Sequence, residues 1–155
     1  MGPALGQAVA AQLVYPKSKI VCLLGDSSFG FSGMEIETMC RYRLPVVIVI
    51  INNSGIAMGL PIDTSSESME ERVLGVPCTS LLGGEQAHYE QMATAFGGKG
   101  FFVTEPAQVQ PALREALKAD VPAIINICIN PMADRRAQSH SWLSRSVESK
   151  AESKL

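Results

Sequence analysis

Two stretches of this chain, Val46–Ile51 and Ala123–Ile129, are apolar at almost every position. A strand with one wet face alternates polar and apolar residues, so runs of this kind suit strands covered on both faces, as in a parallel sheet sandwiched by helices. The surrounding pattern agrees. Residues 3–14 read as a helix of small residues, 19–25 as a strand, 33–42 as a helix and 46–52 as a strand. After a loop-rich segment punctuated by Gly59, Pro61, Gly75, Pro77 and Gly83-Gly84, the alternation resumes. Residues 88–97 read as a helix ended by Gly97-Gly98, 99–103 as a strand, 106–119 as a helix opened by Pro106, and 122–129 as a strand. The predicted fold class is α/β, a doubly wound, mostly parallel sheet with helices on both faces. No internal repeat is visible.

The first two strands end in polar residues. Lys19 to Leu24 runs into Gly25-Asp26-Ser27, and Pro45 to Ile51 runs into Asn52-Asn53-Ser54-Gly55. Between them Met34 to Tyr42 reads as a crossover helix, with Ser32 placed to cap it, and such a helix returns the chain to a parallel neighbour. Open α/β sheets bind ligands at the carboxyl ends of their strands. Taken singly, each segment is an ordinary strand-end turn. Together they bring hard oxygen donors to one end of the sheet, which suits Mg²⁺ and a diphosphate, because magnesium prefers octahedral oxygen coordination and commonly shares phosphate oxygens.

Gly25-Asp26-Ser27 followed by Asn52-Asn53 resembles the signature of thiamine-diphosphate enzymes, usually Gly-Asp-Gly and a later Asn-Asn pair. The run from Gly25 to Ile56, GDSSFGFSGMEIETMCRYRLPVVIVIINNSGI, resembles more narrowly the 2-hydroxyacyl-CoA lyase and oxalyl-CoA decarboxylase branch, where the third motif residue is also serine. The resemblance implies thiamine diphosphate and Mg²⁺ as cofactors. It makes Asp26 and Asn53 side-chain metal ligands and Gly55 a ligand through its carbonyl, and it places Ser27 and Ser28 at the diphosphate and Ile56 beside the cofactor. Met1-Gly2-Pro3-Ala4 resembles a Gly-x-Met-Gly stretch entered halfway. Met1 is then either an initiator or the bulky residue that props the cofactor into a bent shape.

The resemblance covers nearly all of this chain but only the carboxy-terminal portion of a family member. It implies that a pyrimidine-binding domain, with the glutamate that activates the cofactor, lies elsewhere, as do a middle domain contributing to CoA binding and the first strands of this one. No catalytic residue is assigned here. Glu35 and Glu37 fall on the crossover helix and read as solvated or helix-end residues. One departure stands beside the motif: the family usually continues Asn-Asn-x-Gly-Ile-Tyr, whereas Ile56 is followed here by Ala57, which removes a hydroxyl that would point toward substrate.

Residues 1–130 are expected to form the partial cofactor-binding domain, and 131–155 a closing segment and flexible tail. Asp134-Arg135-Arg136-Ala137-Gln138 and Ser141-Trp142-Leu143 resemble the part of the lyases that closes over an acyl-CoA substrate, although the arginine pair also reads as a solvated basic patch. The terminal Ser153-Lys154-Leu155 reads as a peroxisomal address recognised by an import receptor. These features favour a peroxisomal lyase that splits a 2-hydroxyacyl-CoA into formyl-CoA and a shortened aldehyde in fatty-acid α-oxidation. Oxalyl-CoA decarboxylation or acetolactate-type chemistry stands as the alternative, and a non-catalytic cofactor-binding or interaction module as another. A homo-oligomer, or association with full-length subunits, is expected with either.

Composition narrows the rest. At 155 residues and 46% hydrophobic content the chain can bury one core. Its net charge of −2, with signs scattered, offers no basic stripe for nucleic acid. The apolar runs are too short to span a bilayer, and no signal peptide is indicated. Cys22, Cys40, Cys78 and Cys128 lack CxxC spacing and read as small buried hydrophobes. His88 and His140 lack a paired-ligand spacing and read as surface or locally bonded histidines.

Overall fold

The computed structural model describes residues 1–55 and 87–130. The elements run α1 (Pro3–Val14), β1 (Val21–Gly25), α2 (Asp26–Gly30), α3 (Glu35–Arg41), β2 (Val47–Asn52), α4 (Glu90–Ala95), β3 (Lys99–Val103), α5 (Pro106–Lys118) and β4 (Ala123–Cys128). The four strands form one sheet in the order β1-β2-β4-β3, and every pairing is parallel. Sequence expectations for Ile56, Ala57 and the loop-rich segment, and for Cys78, His140, Arg135, Arg136 and the tail, lie outside the described residues.

Both faces of the sheet are covered, each by its own set of helices. One core joins Leu5 and Ala8 of α1, Phe29 of α2, Ile36 and Met39 of α3 and Ala93 of α4 to the strand residues Cys22, Leu24, Ile48, Ile50 and Ile124. The other joins Ala112 and Ala116 of α5 to Val47, Val103, Ala123 and Ile125. Adjacent residues of one strand, Val47 and Ile48 or Ile124 and Ile125, therefore feed opposite cores, which explains why β2 and β4 are apolar at nearly every position. The chain moves outward across the sheet from β1 to β2 under the first helical layer and steps back from β3 to β4 under α5. A constant right-handed crossover requires this change of face with change of direction.

The predicted helices and strands match the observed ones closely, with two differences. Residues 26–30 form a short helix directly after β1, five residues long and without a periodic pattern to betray it. Ser32 does not cap the crossover helix: α3 starts after Met34 with no side-chain cap, and the Ser32 hydroxyl instead donates to the Gly2 carbonyl at 2.8 Å. That bond ties the start of α1 to the α2–α3 connection. Glu37, a helix residue as expected, forms an ion pair with Arg41 one turn later at 2.6 Å. No described helix is long and apolar enough to cross a membrane.

Layer packing is tightest where α4 lies on β3. A Cβ built on Gly100 would collide with the backbone carbonyl oxygen of Glu90, and one on Gly98 would sit 2.7 Å from the Pro122 oxygen. Both obstacles are backbone and cannot rotate away. Gly100→Ala is expected to destabilise the fold by about 1–3 kcal/mol, the usual cost of forced overpacking, read as a lowered denaturant midpoint.

The three described cysteines are free thiols. Burial, aided by the negative charge of Glu90, raises the Cys128 thiol from 9.0 to about 11. Because the folded value exceeds the ordinary one, the contribution to stability is whole below pH 9.0 and is lost as pH climbs toward about 11. Alkylation of Cys128 in a chain whose other cysteines are serine should accordingly be slow at neutral pH and accelerate up to about pH 11.

Candidate cofactor site

The carboxyl ends of β1 and β2, which are hydrogen-bonded neighbours, open into one cavity of roughly 430 Å³. Its lining is Met1, Gly25, Asp26, Ser27, Ser28, Ile51, Asn53, Gly55 and Ile129. Every site residue expected from sequence that falls within the described residues is in this set, so the fold brings Met1, Asp26, Ser27, Ser28, Asn53 and Gly55 together. Ile51 and Ile129 were not anticipated. Both are strand-end residues whose apolar character reads only as sheet core, and it is the sheet order that places β4 beside β2 and so brings Ile129 to the rim.

The polar groups come from two turns. β1 passes at Gly25 straight into α2, so Asp26 and Ser27 open that helix and are buried, Asp26 at 1% exposure. The Ser27 hydroxyl is buried with no hydrogen-bond partner among the described residues. A polar group left in that condition costs free energy unless something supplies a partner, and in a cavity that something is a ligand with acceptor or donor atoms. After β2 the chain bends at Ser54, which has a left-handed backbone (φ 57°). The Asn52 side chain holds this turn by accepting the Ser54 N–H at 3.0 Å, a local bond for which asparagine is suited. Asn53 and Gly55, on either side of Ser54, both line the cavity.

The lining residues Asp26, Asn53, Gly55, Ser27 and Ser28 carry between them a carboxylate, a carboxamide, backbone carbonyls and two hydroxyls, a chemistry of hard oxygens. Such a set fits a divalent cation that keeps phosphate oxygens in its shell, and does not resemble the nitrogen and sulfur ligation typical of zinc. Among the described residues no three His, Cys, Asp or Glu side chains cluster as a metal-holding group. The remaining walls, Met1, Ile51 and Ile129, are apolar and suit the ring portion of a cofactor. Met1 reaches the site because Ser32 fixes the Gly2 carbonyl and Gly2 itself adopts a positive φ of 104°.

Behind the second turn, outside the cavity, lies a polar cluster that sequence reasoning missed. The Asn52 amide donates to Asn126 Oδ1 at 3.2 Å and to the Ala87 carbonyl at 3.3 Å. Asn126 donates to the same carbonyl at 2.8 Å and to Glu90 Oε2 at 2.9 Å. Glu90 Oε1 lies 2.7 Å from His88 Nδ1, and the His88 ring packs against Phe102 with centroids 4.3 Å apart. His88 is thus locally bonded, as its sequence context suggested.

Comparison with known proteins identifies the family of the domain. Residues 1–127, from α1 into β4, match the family model described as thiamine pyrophosphate enzyme, C-terminal TPP binding domain. The chain is 48% identical over 154 residues to 2-hydroxyacyl-CoA lyase 1 of Homo sapiens, covering 94% of this chain and 26% of that protein. It is 44% identical over 134 residues to oxalyl-CoA decarboxylase of Escherichia coli (strain K12), covering 86% of this chain and 22% of that protein. It spans about a quarter of the length of these curated relatives. Among solved structures, a thiamine diphosphate-dependent 4-hydroxybenzoylformate decarboxylase of Rhodococcus jostii superposes with a TM-score of 0.62 at 26% identity, over 82% of this chain and 23% of that one. Sheet order, cavity and sequence point the same way, and the chain belongs to the thiamine pyrophosphate enzymes, carrying their C-terminal TPP binding domain.

Proposed function

We propose that this chain is the thiamine diphosphate- and Mg²⁺-binding portion of a peroxisomal 2-hydroxyacyl-CoA lyase, whose complete form cleaves a carbon–carbon bond to give formyl-CoA and a shortened aldehyde. The observation that carries the cofactor assignment is the convergence of Asp26, Asn53 and Gly55 with Ser27 and Ser28 on one cavity. In this reading the Asp26 carboxylate, the Asn53 side-chain oxygen and the Gly55 carbonyl hold Mg²⁺, and the two serine hydroxyls meet the diphosphate. Bound thiamine diphosphate supplies a nucleophilic carbon and an electron sink. The chain's own work is to bind and orient: the hard donors neutralise and fix the charged end, while Met1, Ile51, Ile129 and, from sequence, Ile56 exclude water from the other. Catalytic acid–base groups and the binding of an acyl-CoA are assigned to the remainder of a complete enzyme.

The lyase is favoured over oxalyl-CoA decarboxylation by similarity to 2-hydroxyacyl-CoA lyases of Homo sapiens and Mus musculus along 94% of the chain, and by the terminal Ser153-Lys154-Leu155. That tripeptide fits a peroxisomal import receptor and adds no membrane anchor. In the full assembly the chain is taken to work in a homo-oligomer or with full-length subunits, with residues 131–155 closing over substrate.

Two measurements test this reading. Calorimetry should find thiamine diphosphate binding that requires Mg²⁺ and is lost in Asp26→Ala and weakened in Asn53→Ala; wild-type affinity in both variants would remove these residues from the site. A fluorescent protein carrying residues 131–155 should enter peroxisomes and become cytosolic when Leu155 is deleted, since the receptor reads the terminal side chain and carboxylate together. Diffuse signal from the intact tail would overturn the localisation.

A further inference from the structure

The donors at the cavity are delivered by a turn whose shape depends on one amide. Asn52 Oδ1 accepts the Ser54 N–H, and the left-handed Ser54 that results lets both Asn53 and Gly55 face the cavity. An asparagine amide holds such a turn in only one orientation, because rotating it by half a turn would present N–H to N–H. Asn52 is fully buried, so water cannot choose that orientation. It is set on the amide's other side by the acceptors Asn126 Oδ1 and Ala87 O. Asn126 is also fully buried, and its own orientation is set in turn by Glu90 Oε2 and the same carbonyl. Hydrogen bonds therefore run without a break from Glu90, through two carboxamides on neighbouring strands, to the turn at the cavity. Gly100 admits the Glu90 backbone against β3 and so seats the far end of this chain.

We propose that Asn126 and Glu90, neither of which lines the cavity, are positioning residues for the Asn53–Gly55 turn and thereby for the metal and diphosphate held there. The proposal rests on the cofactor reading above. A core would be cheaper to build with apolar residues at these positions, since buried polar groups stabilise only when every partner is supplied. Their arrangement makes sense as a device that selects one amide orientation beside the site. Residues in this relation to a metal ligand commonly affect metal affinity by about 10–100-fold.

The test uses the full chain with thiamine diphosphate and Mg²⁺ as probes. Four variants are compared: Glu90→Leu, which removes the acceptor; Glu90→Gln, which keeps an acceptor oxygen; Asn126→Leu; and Asn126→Asp, which keeps the acceptor for Asn52 but turns an oxygen toward Ala87 O and Glu90. Glu90→Leu, Asn126→Leu and Asn126→Asp should weaken Mg²⁺-dependent binding by about 10–100-fold, with Glu90→Gln restoring most of it. Amide hydrogen exchange without ligand supplies a readout independent of binding: protection at Ser54 should fall in the weakened variants, while Ile50 in the middle of β2 keeps its protection. A purely structural role would lower both protections together and show no rescue by Glu90→Gln, and that result would overturn the proposal. Should a leucine variant not fold, the near-isosteric Asn126→Asp decides alone. Failure of the cofactor reading is separable, because it leaves Asp26→Ala binding like wild type. If Asp26→Ala abolishes binding while Asn126→Asp and Glu90→Leu bind normally, only the positioning role is overturned.

Discussion

The rest of the molecule depends on burying β2 and β4 on both faces. A strand in that position loses the option of a wet side, so its residues become apolar in sequence and helices must arrive from two directions. Once the crossover hand is fixed, the order β1-β2-β4-β3 follows from outward travel over one face and return over the other. That order aligns three strand ends, and the cavity forms where they stop. The site is in this sense a by-product of sheet construction. What makes it specific is the short polar passage at each end, Gly25 to Ser28 and Asn52 to Gly55.

Much of this was legible from residues alone, and the reasons are physical. Unbroken apolar runs declare two-sided burial, helix stops declare themselves by Gly97-Gly98, and Pro106 marks a start. Asp26 and Asn53 stood out as a pair, because the strand–helix–strand pattern between them brings two otherwise ordinary strand-end turns to the same end of the sheet. The α2 turn did not stand out, since five residues are too few to show a period. Ser32 was misread because serine before a helical pattern is a capping signal, and only the fold reveals that the Gly2 carbonyl lies within its reach. The Asn52–Asn126 contact joins residues 74 apart, and no local pattern announces it.

Asn126 shows how a single residue can break a local rule for a reason supplied from afar. It interrupts an otherwise apolar strand at full burial, where valine or isoleucine would pack without any need for partners. Its three hydrogen bonds, with Asn52, Ala87 and Glu90, satisfy it from the neighbouring strand, the chain before α4 and α4 itself. Such a network gains little stability compared with an apolar core but penalises every alternative packing, because any shift leaves several groups unsatisfied at once. The layer that includes α4 is therefore pinned to the sheet in register as well as in depth.

β1 contrasts with this precision. α5 covers β2, β3 and β4 but stops short of it, leaving Val21 at 48% and Leu23 at 67% exposure on a strand whose outer edge pairs with nothing among the described residues. The opposite edge, β3, opens with a charged Lys99, a common deterrent to unwanted pairing, whereas β1 reads Val-Cys-Leu-Leu-Gly with no charge, proline or bulge. An uncharged edge of that kind offers its free backbone N–H and C=O groups as a template for a strand of a second chain. A lysine at the exposed position 23 would put a charge on this strand at a residue that does not line the cofactor cavity, the same device that Lys99 supplies at the opposite edge.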